Sequence, residues 1–188
     1  PMLALVAARY LSHVRQVKVD ELYYGALEMG SLETGTPVLR LSSLLRMLDW
    51  IEALAVHDHC GNYGVFAPLL IQDGMPREQA NQLQQAAFFE RTNNPVKAAE
   101  KLSPVFKAVS SHQGALGGLF SEALSNRVKW FRKNNRGDRE QALAETYLGH
   151  KDYLRASTYL YESNITRAAE AEGVDTNDFE ARKGAYDK

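Results

Sequence analysis

The feature that most constrains the fold is the segment from Arg139 to Lys188, which combines helical periodicity with residues that end helices. Its apolar side chains recur at the three-, four- and seven-residue spacings that place side chains on one face of an α-helix. They are Leu154, Ala156, Leu160, Tyr161, Ile165 and Ala168. The pattern predicts a long helix that buries this face and exposes the opposite side, which carries Thr166 and Glu170.

The ends of the helices in this segment are marked by residues with special backbone preferences. Gly149 and Gly173 stand where a left-handed residue would end each helix. Asn177, with Glu180 three residues later, fits a capping box that begins another helix. The segment is therefore predicted to form two helices and the start of a third.

The rest of the chain predicts a small mixed part followed by helices. Residues 2–16 are apolar-rich and helical in pattern, whereas Val17–Leu27 and Val38–Leu41 have the β-branched and aromatic residues of strands. After residue 41 every strong signal is helical. The fold class is therefore mainly α, with a helix and one or two strands at the N-terminus. On these residues alone, an α+β cap on a helical domain explains the N-terminal part equally well.

Two stretches of the chain resemble the CARF-HEPN ribonucleases, which are the ancillary nucleases of type III CRISPR systems. The first is GHKDY (149–153), followed by RASTYLYESNITRAAE (155–170) and GVD (173–175). The second is VDELYYGALEMG (19–30), followed by TPVLRLSSLLRMLDWIEAL (36–54). The resemblance covers most of the chain, and its motifs consist of common residues.

The resemblance implies both a domain organisation and an activity. Residues 1–40 would be the C-terminal part of a Rossmann-like CARF sensor domain, and residues 41–188 a helical HEPN-like effector domain. The parent protein would be a cytoplasmic, homodimeric, metal-independent endoribonuclease of antiviral defence that cyclic oligoadenylate activates. Its expected partners are single-stranded RNA and cyclic oligoadenylate, and no cofactor is expected.

The catalytic motif of this family is absent from the 188 residues. The motif is an Arg followed, after four to six residues, by a His that takes part in general acid–base transfer. The nearest arginine before His13 is Arg9, which is too close, and the arginines before the other four histidines are too distant. We therefore assign no catalytic residue. The effector domain is expected to be truncated before this motif, within a longer protein.

A polar cleft is predicted on the long helix, from Glu162, Asn164 and Arg167. Asn164 is expected on or near the buried face, where an unpaired amide costs about 1 to 3 kcal/mol. It would therefore be either part of a packing network or part of a cleft. A cleft at a dimer interface fits the resemblance, because HEPN domains form their ribonuclease site there, but we prefer the packing role for these residues.

The densest group of cations is a candidate RNA-binding segment. It comprises Arg127, Lys129, Arg132, Lys133, Arg136 and Arg139. Trp130 and Phe131 lie within it, and cations beside aromatic rings suit single-stranded RNA. The alternative is a solvated helix end, because the helix dipole also favours cations there.

Composition narrows the remaining classes of function. The formal net charge of -1 gives no global basic field, so DNA binding is not expected. No apolar run approaches the roughly 20 residues that span a bilayer. The sequence His57-Asp58-His59-Cys60 lacks a second ligand pair at zinc-like spacing, so no metal site is predicted. A single cysteine suits a reducing cytoplasm.

A different class of function stays open beside the ribonuclease. The chain could be a non-catalytic helical interaction module or a degenerate effector. Its tyrosines at 147, 153, 159 and 161 echo a tetratricopeptide helix pair, but no repeat of that length follows them, and aromatic core packing explains them better.

Overall fold

The computed structural model describes residues 2–31 and 35–186, with only the backbone of Tyr186. These residues form nine α-helices and two short strands. In chain order they are α1 (Met2–Arg15), β1 (Tyr23–Gly25), β2 (Val38–Arg40), α2 (Ser42–Cys60), α3 (Ala67–Gln72), α4 (Arg77–Arg91), α5 (Pro95–Ser110), α6 (Ser121–Val128), α7 (Arg136–Gly149), α8 (Tyr153–Glu172) and α9 (Phe179–Tyr186). The predicted mainly α class, with a small N-terminal α/β part, is confirmed.

The chain groups into two compact units, Pro1–Glu52 and Ala53–Lys188. The division falls inside α2, whereas the sequence predicted a domain boundary at the end of β2. Ion pairs explain why the first turns of α2 belong to the N-terminal unit. Arg9 of α1 places Nη1 2.6 Å from Asp49 Oδ1 and Nε 2.5 Å from Glu52 Oε1, and both carboxylates lie on α2.

The N-terminal unit contains an antiparallel hairpin in which Tyr24 is paired with Leu39. The second predicted strand, Val38–Leu41, is confirmed as β2. The first, Val17–Leu27, is strand only in β1. In the described part of this sheet, β2 is the single neighbour of β1. Because β2 has three residues, it can pair with no more than three residues of β1, and β1 is therefore shorter than the predicted strand.

The C-terminal unit is built around two helix pairs, α4 with α5 and α7 with α8. The three-residue loops 92–94 and 150–152 connect the helices of each pair. Helix α6 packs on α5 and α9 packs on α8, while α3 and the 3₁₀ turn Tyr63–Phe66 pack on α4. The fully buried apolar residues at the centre include Leu70, Leu83, Leu102, Val105, Val109, Val128 and Leu143.

The ends of the C-terminal helices agree only in part with the sequence. Gly173 ends α8 in the left-handed conformation with φ 69°, as predicted. Gly149 remains inside α7, and Lys151 adopts the left-handed conformation in the turn instead, with φ 59°. The start of α9 is capped by Asp178, whose Oδ1 accepts a hydrogen bond from the backbone N–H two residues later at 2.9 Å. The capping box predicted at Asn177 was therefore misplaced by one residue.

Candidate nucleic-acid interface

The buried face of α8 differs from the predicted one. It consists of Ala156, Tyr159, Ser163, Thr166 and Ala169. Leu154, Leu160 and Tyr161, which the periodicity placed in the core, are each at least half exposed. Of the residues predicted on the buried face, Ala156 is buried as predicted, but the prediction for Leu154, Leu160 and Tyr161 was wrong, and Thr166 was assigned to the wrong side. The larger apolar residues form an exposed stripe along α8.

Polar packing against α7 explains this orientation of α8. Ser163 Oγ donates a hydrogen bond to the backbone oxygen of Gly137 at 2.9 Å. Thr166 Oγ1 donates to Glu140 Oε2 at 2.6 Å, and that carboxylate is fully buried. A buried carboxylate needs such donors, because leaving it unpaired costs more than exposing apolar side chains. A Cβ at Gly137 would lie 2.7 Å from Arg167 Cγ, so the small residue permits the close approach of α7 and α8.

The three predicted cleft residues do not converge on one point. Glu162 Oε2 lies 2.5 Å from the Nη2 of Arg182 on α9. Arg167 Nη2 lies 3.0 Å from the Oδ1 of Asp138 on α7. Asn164 is exposed rather than near the buried face. Successive residues on a helix point in different directions, so Glu162 and Arg167 link α8 to two different helices and Asn164 faces outward.

Arg127 is the exception within the basic segment, because its side chain is only 7% exposed. Its Nη2 donates to Glu90 Oε1 at 2.5 Å and to the Gly61 carbonyl oxygen at 3.1 Å. The guanidinium carbon also lies 5.1 Å from the Tyr63 ring centroid, a cation–π contact. Burial acts to lower the pKa of Arg127, but the charge and hydrogen bond of Glu90, with smaller contributions from Tyr63 and Tyr147, together outweigh it and the pKa is raised. Arg127 therefore belongs to the core, which corrects its placement among the RNA-binding candidates.

Glu90 is the centre of a buried hydrogen-bond network that the sequence analysis missed. Besides Arg127, its carboxylate accepts hydrogen bonds from Trp130 Nε1 at 2.9 Å and from Tyr147 OH at 3.0 Å. Tyr159 OH donates to the Glu90 backbone oxygen at 2.5 Å, and its ring stacks on Tyr147. Burial, reinforced by the charge of Glu90, raises the pKa values of both tyrosines, so both stay protonated donors. The network joins α4, α7, α8 and the turn after α6.

Three residues of the basic segment are exposed: Lys129, Arg132 and Lys133. We call these three residues the basic surface. Within the described part of the chain, none of them forms an ion pair with a carboxylate. The Arg132 guanidinium carbon lies 5.3 Å from the Phe106 ring centroid, and Phe106 packs edge-on against Phe131 at 5.4 Å. The basic surface therefore places cations directly beside aromatic rings.

Arg136 and Arg139 lie next to the basic surface and line a pocket of about 240 Å³. Arg136 is committed to protein groups, since its Nε lies 2.7 Å from Glu140 Oε1 and its Nη1 donates to Thr176 O at 2.5 Å. Arg139 donates from Nε to the Lys133 backbone oxygen at 3.0 Å. These two arginines hold the start of α7 in place, and Arg139 extends the positive charge of the basic surface, whereas Glu140 offsets the charge of Arg136.

A pair of histidines also comes together, which the sequence did not predict. The ring centroids of His57 and His150 are 5.8 Å apart. His150 Nδ1 lies 2.9 Å from the Asp58 carbonyl oxygen, so Nδ1 carries a proton and donates it in this hydrogen bond. Burial lowers the pKa of His57, and the charge of Arg127 adds to this effect. His57 is therefore neutral near pH 7, and the pair is a second place to test for acid–base chemistry.

Comparison of the chain with protein-family models, curated proteins and solved structures gave no match. Across residues 2–31 and 35–186, no cluster of three or more His, Cys, Asp or Glu side chains could hold a metal ion. No helix in this part of the chain has both the length and the apolar character that a membrane crossing requires. The geometry of the site is thus the basis for the functional argument.

Proposed function

We propose that this chain is part of a CARF-HEPN-type endoribonuclease of antiviral defence, with a helical unit that binds single-stranded RNA. The helical unit acts as a homodimer, and catalysis needs no metal ion. Cyclic oligoadenylate activates the parent protein through its sensor domain, and the protein works in the cytoplasm. The sequence resemblance supports the reaction and the activator, and the basic surface supports the RNA partner.

The observation that carries the proposal is the juxtaposition of an exposed cation and an aromatic ring at the basic surface. Single-stranded RNA offers phosphates and unstacked bases together, and proteins bind it with Lys or Arg and stacking side chains. Arg132 lies over the Phe106 ring, and Lys129 and Lys133, within three residues of Arg132 in the chain, are also exposed. The alternative, a solvated helix end, would explain the cations but not the aromatic ring beside Arg132.

A non-catalytic interaction module is the second candidate, because one observation favours it. Leu154, Leu160 and Tyr161 form an exposed apolar stripe on α8, and exposed apolar patches often mark protein–protein contacts. The two candidates differ in what the basic surface does. An interaction module has no need to bind RNA, so an RNA-binding measurement separates them.

Replacing Lys129, Arg132 and Lys133 together with glutamine is expected to weaken binding of single-stranded RNA of every sequence. Each phosphate contact releases counterions, so losing three contacts should flatten the slope of log affinity against log salt by roughly 2 units. Fluorescence anisotropy of labelled RNA across a salt series measures both quantities.

The matched control replaces Lys18, Arg46 and Lys183 with glutamine, which removes the same charge at exposed positions elsewhere. This control should keep most of the wild-type salt slope. Equal slopes for the two triple variants would remove the basic surface from the RNA-binding account and favour the interaction module.

The 188-residue chain is expected to bind RNA but leave it uncut, with or without cyclic oligoadenylate. General acid–base catalysis needs a titrating group in reach of the reacting hydroxyl, and no histidine here has the Arg spacing of the family motif. Denaturing gels of end-labelled RNA provide the test, with the intact parent protein as the control that should cut once cyclic oligoadenylate is added.

If the chain does cut RNA, variants of the His57–His150 pair test whether this pair is the catalytic site. If the chain cuts RNA and either His57→Gln or His150→Gln abolishes cleavage, the catalytic site is this pair and the proposed family mechanism is incorrect. His13→Gln serves as the control, because His13 is exposed and lies in the N-terminal unit.

A further inference from the structure

A second pocket in the C-terminal unit lies apart from the basic surface. It has a volume of about 420 Å³ and lies between α4 and the segment 62–65. Its lining consists of Asn62, Gly64, Val65, Gln84, Gln85, Phe88, Phe89 and Arg91. Gln84, Phe88 and Arg91 are four and three residues apart, so they lie along one face of α4. The volume falls within the roughly 300 to 1,000 Å³ of small-molecule sites.

The local fold explains how the pocket is held open. Asn62 Oδ1 accepts a hydrogen bond from the Gly64 backbone N–H at 3.1 Å, which caps the 3₁₀ turn. Gly64 lies so near α4 that an added Cβ would be 3.0 Å from the Ala87 Cβ. The turn is thereby fixed against one side of α4, and the side chains of Gln84 and Phe88 border the space beside it.

The pocket offers aromatic surface together with amide groups. The Phe88 side chain is 63% exposed, and its ring meets the ring of Phe89 edge to face at 5.7 Å. Asn62, Gln84 and Gln85 provide amides, which can both donate and accept hydrogen bonds. A planar ligand with hydrogen-bonding edges fits these groups, because it can stack on Phe88 and pair its edge with the amides.

The charge of the pocket is positive. Arg91 is its single charged lining residue, and no carboxylate lines it. Arg91 Nε is buried and has no hydrogen-bond partner among the described residues, an arrangement that costs free energy until an acceptor binds. The neighbouring Glu90 carboxylate accepts hydrogen bonds from Arg127, Trp130 and Tyr147 in the interior rather than from Arg91. Lys97 Nζ lies 5.6 Å from the Phe89 ring centroid, although Lys97 does not line the pocket.

We propose that this pocket binds a nucleotide, with the base stacked on Phe88 and the phosphate held by Arg91. Free mononucleotides and single-stranded RNA share this chemistry, and either can supply the ligand. The assignment rests on the pocket alone and does not require the basic surface or ribonuclease activity.

The test uses adenosine 5′-monophosphate, a short single-stranded RNA, adenosine and inorganic phosphate as separate probes of the full chain. NMR should show that adenosine 5′-monophosphate or the RNA shifts the side-chain amide signals of Asn62, Gln84 and Gln85 and the Nε–H signal of Arg91. Phe88→Ala should weaken the binding roughly tenfold, the effect of losing one base–aromatic stack. Leu119→Ala, at another exposed apolar residue, should leave the affinity unchanged.

Three outcomes would overturn the assignment. The first is unmoved signals with all four probes. The second is an equal response to inorganic phosphate alone, which would make the pocket a simple anion site. The third is self-association that weakens in Phe88→Ala, which would make Phe88 a contact between copies of the chain.

Binding at the pocket and binding at the basic surface can be separated with the triple variant of Lys129, Arg132 and Lys133. If this variant still binds adenosine 5′-monophosphate, the result supports the pocket. This conclusion holds even if the salt dependence of RNA binding shows that the basic surface does not contact RNA. Loss of the pocket signals in this variant, with the fold intact by circular dichroism, counts against an independent site.

Discussion

Glu90→Ala is expected to lower the free energy of unfolding by about 3 to 5 kcal/mol, a large share of the roughly 5 to 15 kcal/mol that stabilises a typical domain. The substitution leaves the Arg127 guanidinium buried without its carboxylate, which is the costly way to break a buried ion pair. It also removes the acceptor for Trp130 and Tyr147. Urea denaturation followed by tryptophan fluorescence measures the change.

The control for this prediction is Glu100→Ala on α5, where the side chain is exposed and the expected change is within about 0.5 kcal/mol. A double variant then isolates the charge. Glu90→Leu combined with Arg127→Met should lose clearly less stability than the sum of the two single variants, because each single variant leaves a buried unpaired charge and the double variant leaves none. Strict additivity of the single effects would contradict the network as described.

The helical periodicity of the sequence indicated that members of this network are buried, although the composition of the chain did not. Glu90 follows Leu83 and Ala87 at seven and three residues, so helical periodicity places it on the buried stripe of α4. The helical spacing that links Leu124 to Arg127 does the same for the arginine. What the sequence could not supply was the pairing, because the two charges lie on helices whose packing depends on the whole unit.

The ends of the helices were predicted only in part. Gly173 ends α8 as predicted, because a left-handed backbone is a local requirement, whereas the ends predicted at Gly149 and Asn177 were misplaced by two residues and one residue. The face of α8 was wrong because α7 presents the buried carboxylate of Glu140, and Thr166 has to meet it. Helix propensity and hydrophobic periodicity describe one helix at a time, so they could not predict that α7 requires a hydrogen-bond donor from α8.

The candidate sites show the same limit. Arg127 and Lys129 are two residues apart in the sequence, yet one is in the core and the other is exposed. Residue type and spacing identified the cations but could not determine their burial. The His57–His150 pair could not have been found from spacing at all, because His57 lies on α2 and His150 lies in the loop after α7, far apart along the chain.

The exposed stripe on α8 is expected to be the contact between two copies of the chain. Leu154 and Leu160 are 78% and 51% exposed, Tyr161 is 52% exposed, and Asn164 lies among them on the same face. A stripe with an apolar centre and a polar edge is typical of a protein interface. A two-fold arrangement would bury it against itself, since the same residues then lie on both sides.

Leu154→Glu combined with Leu160→Glu is therefore expected to convert a dimer into a monomer. Two residues at the centre of an interface that each contribute 2 kcal/mol or more would together raise the dissociation constant by roughly 700-fold or more, and the introduced carboxylates repel one another across the two-fold axis. Sedimentation equilibrium over a range of concentrations measures the constant. Leu119→Glu, at a residue 73% exposed outside α8, should leave it unchanged. A wild-type chain that stays monomeric at high micromolar concentration while folded would contradict the two-fold contact.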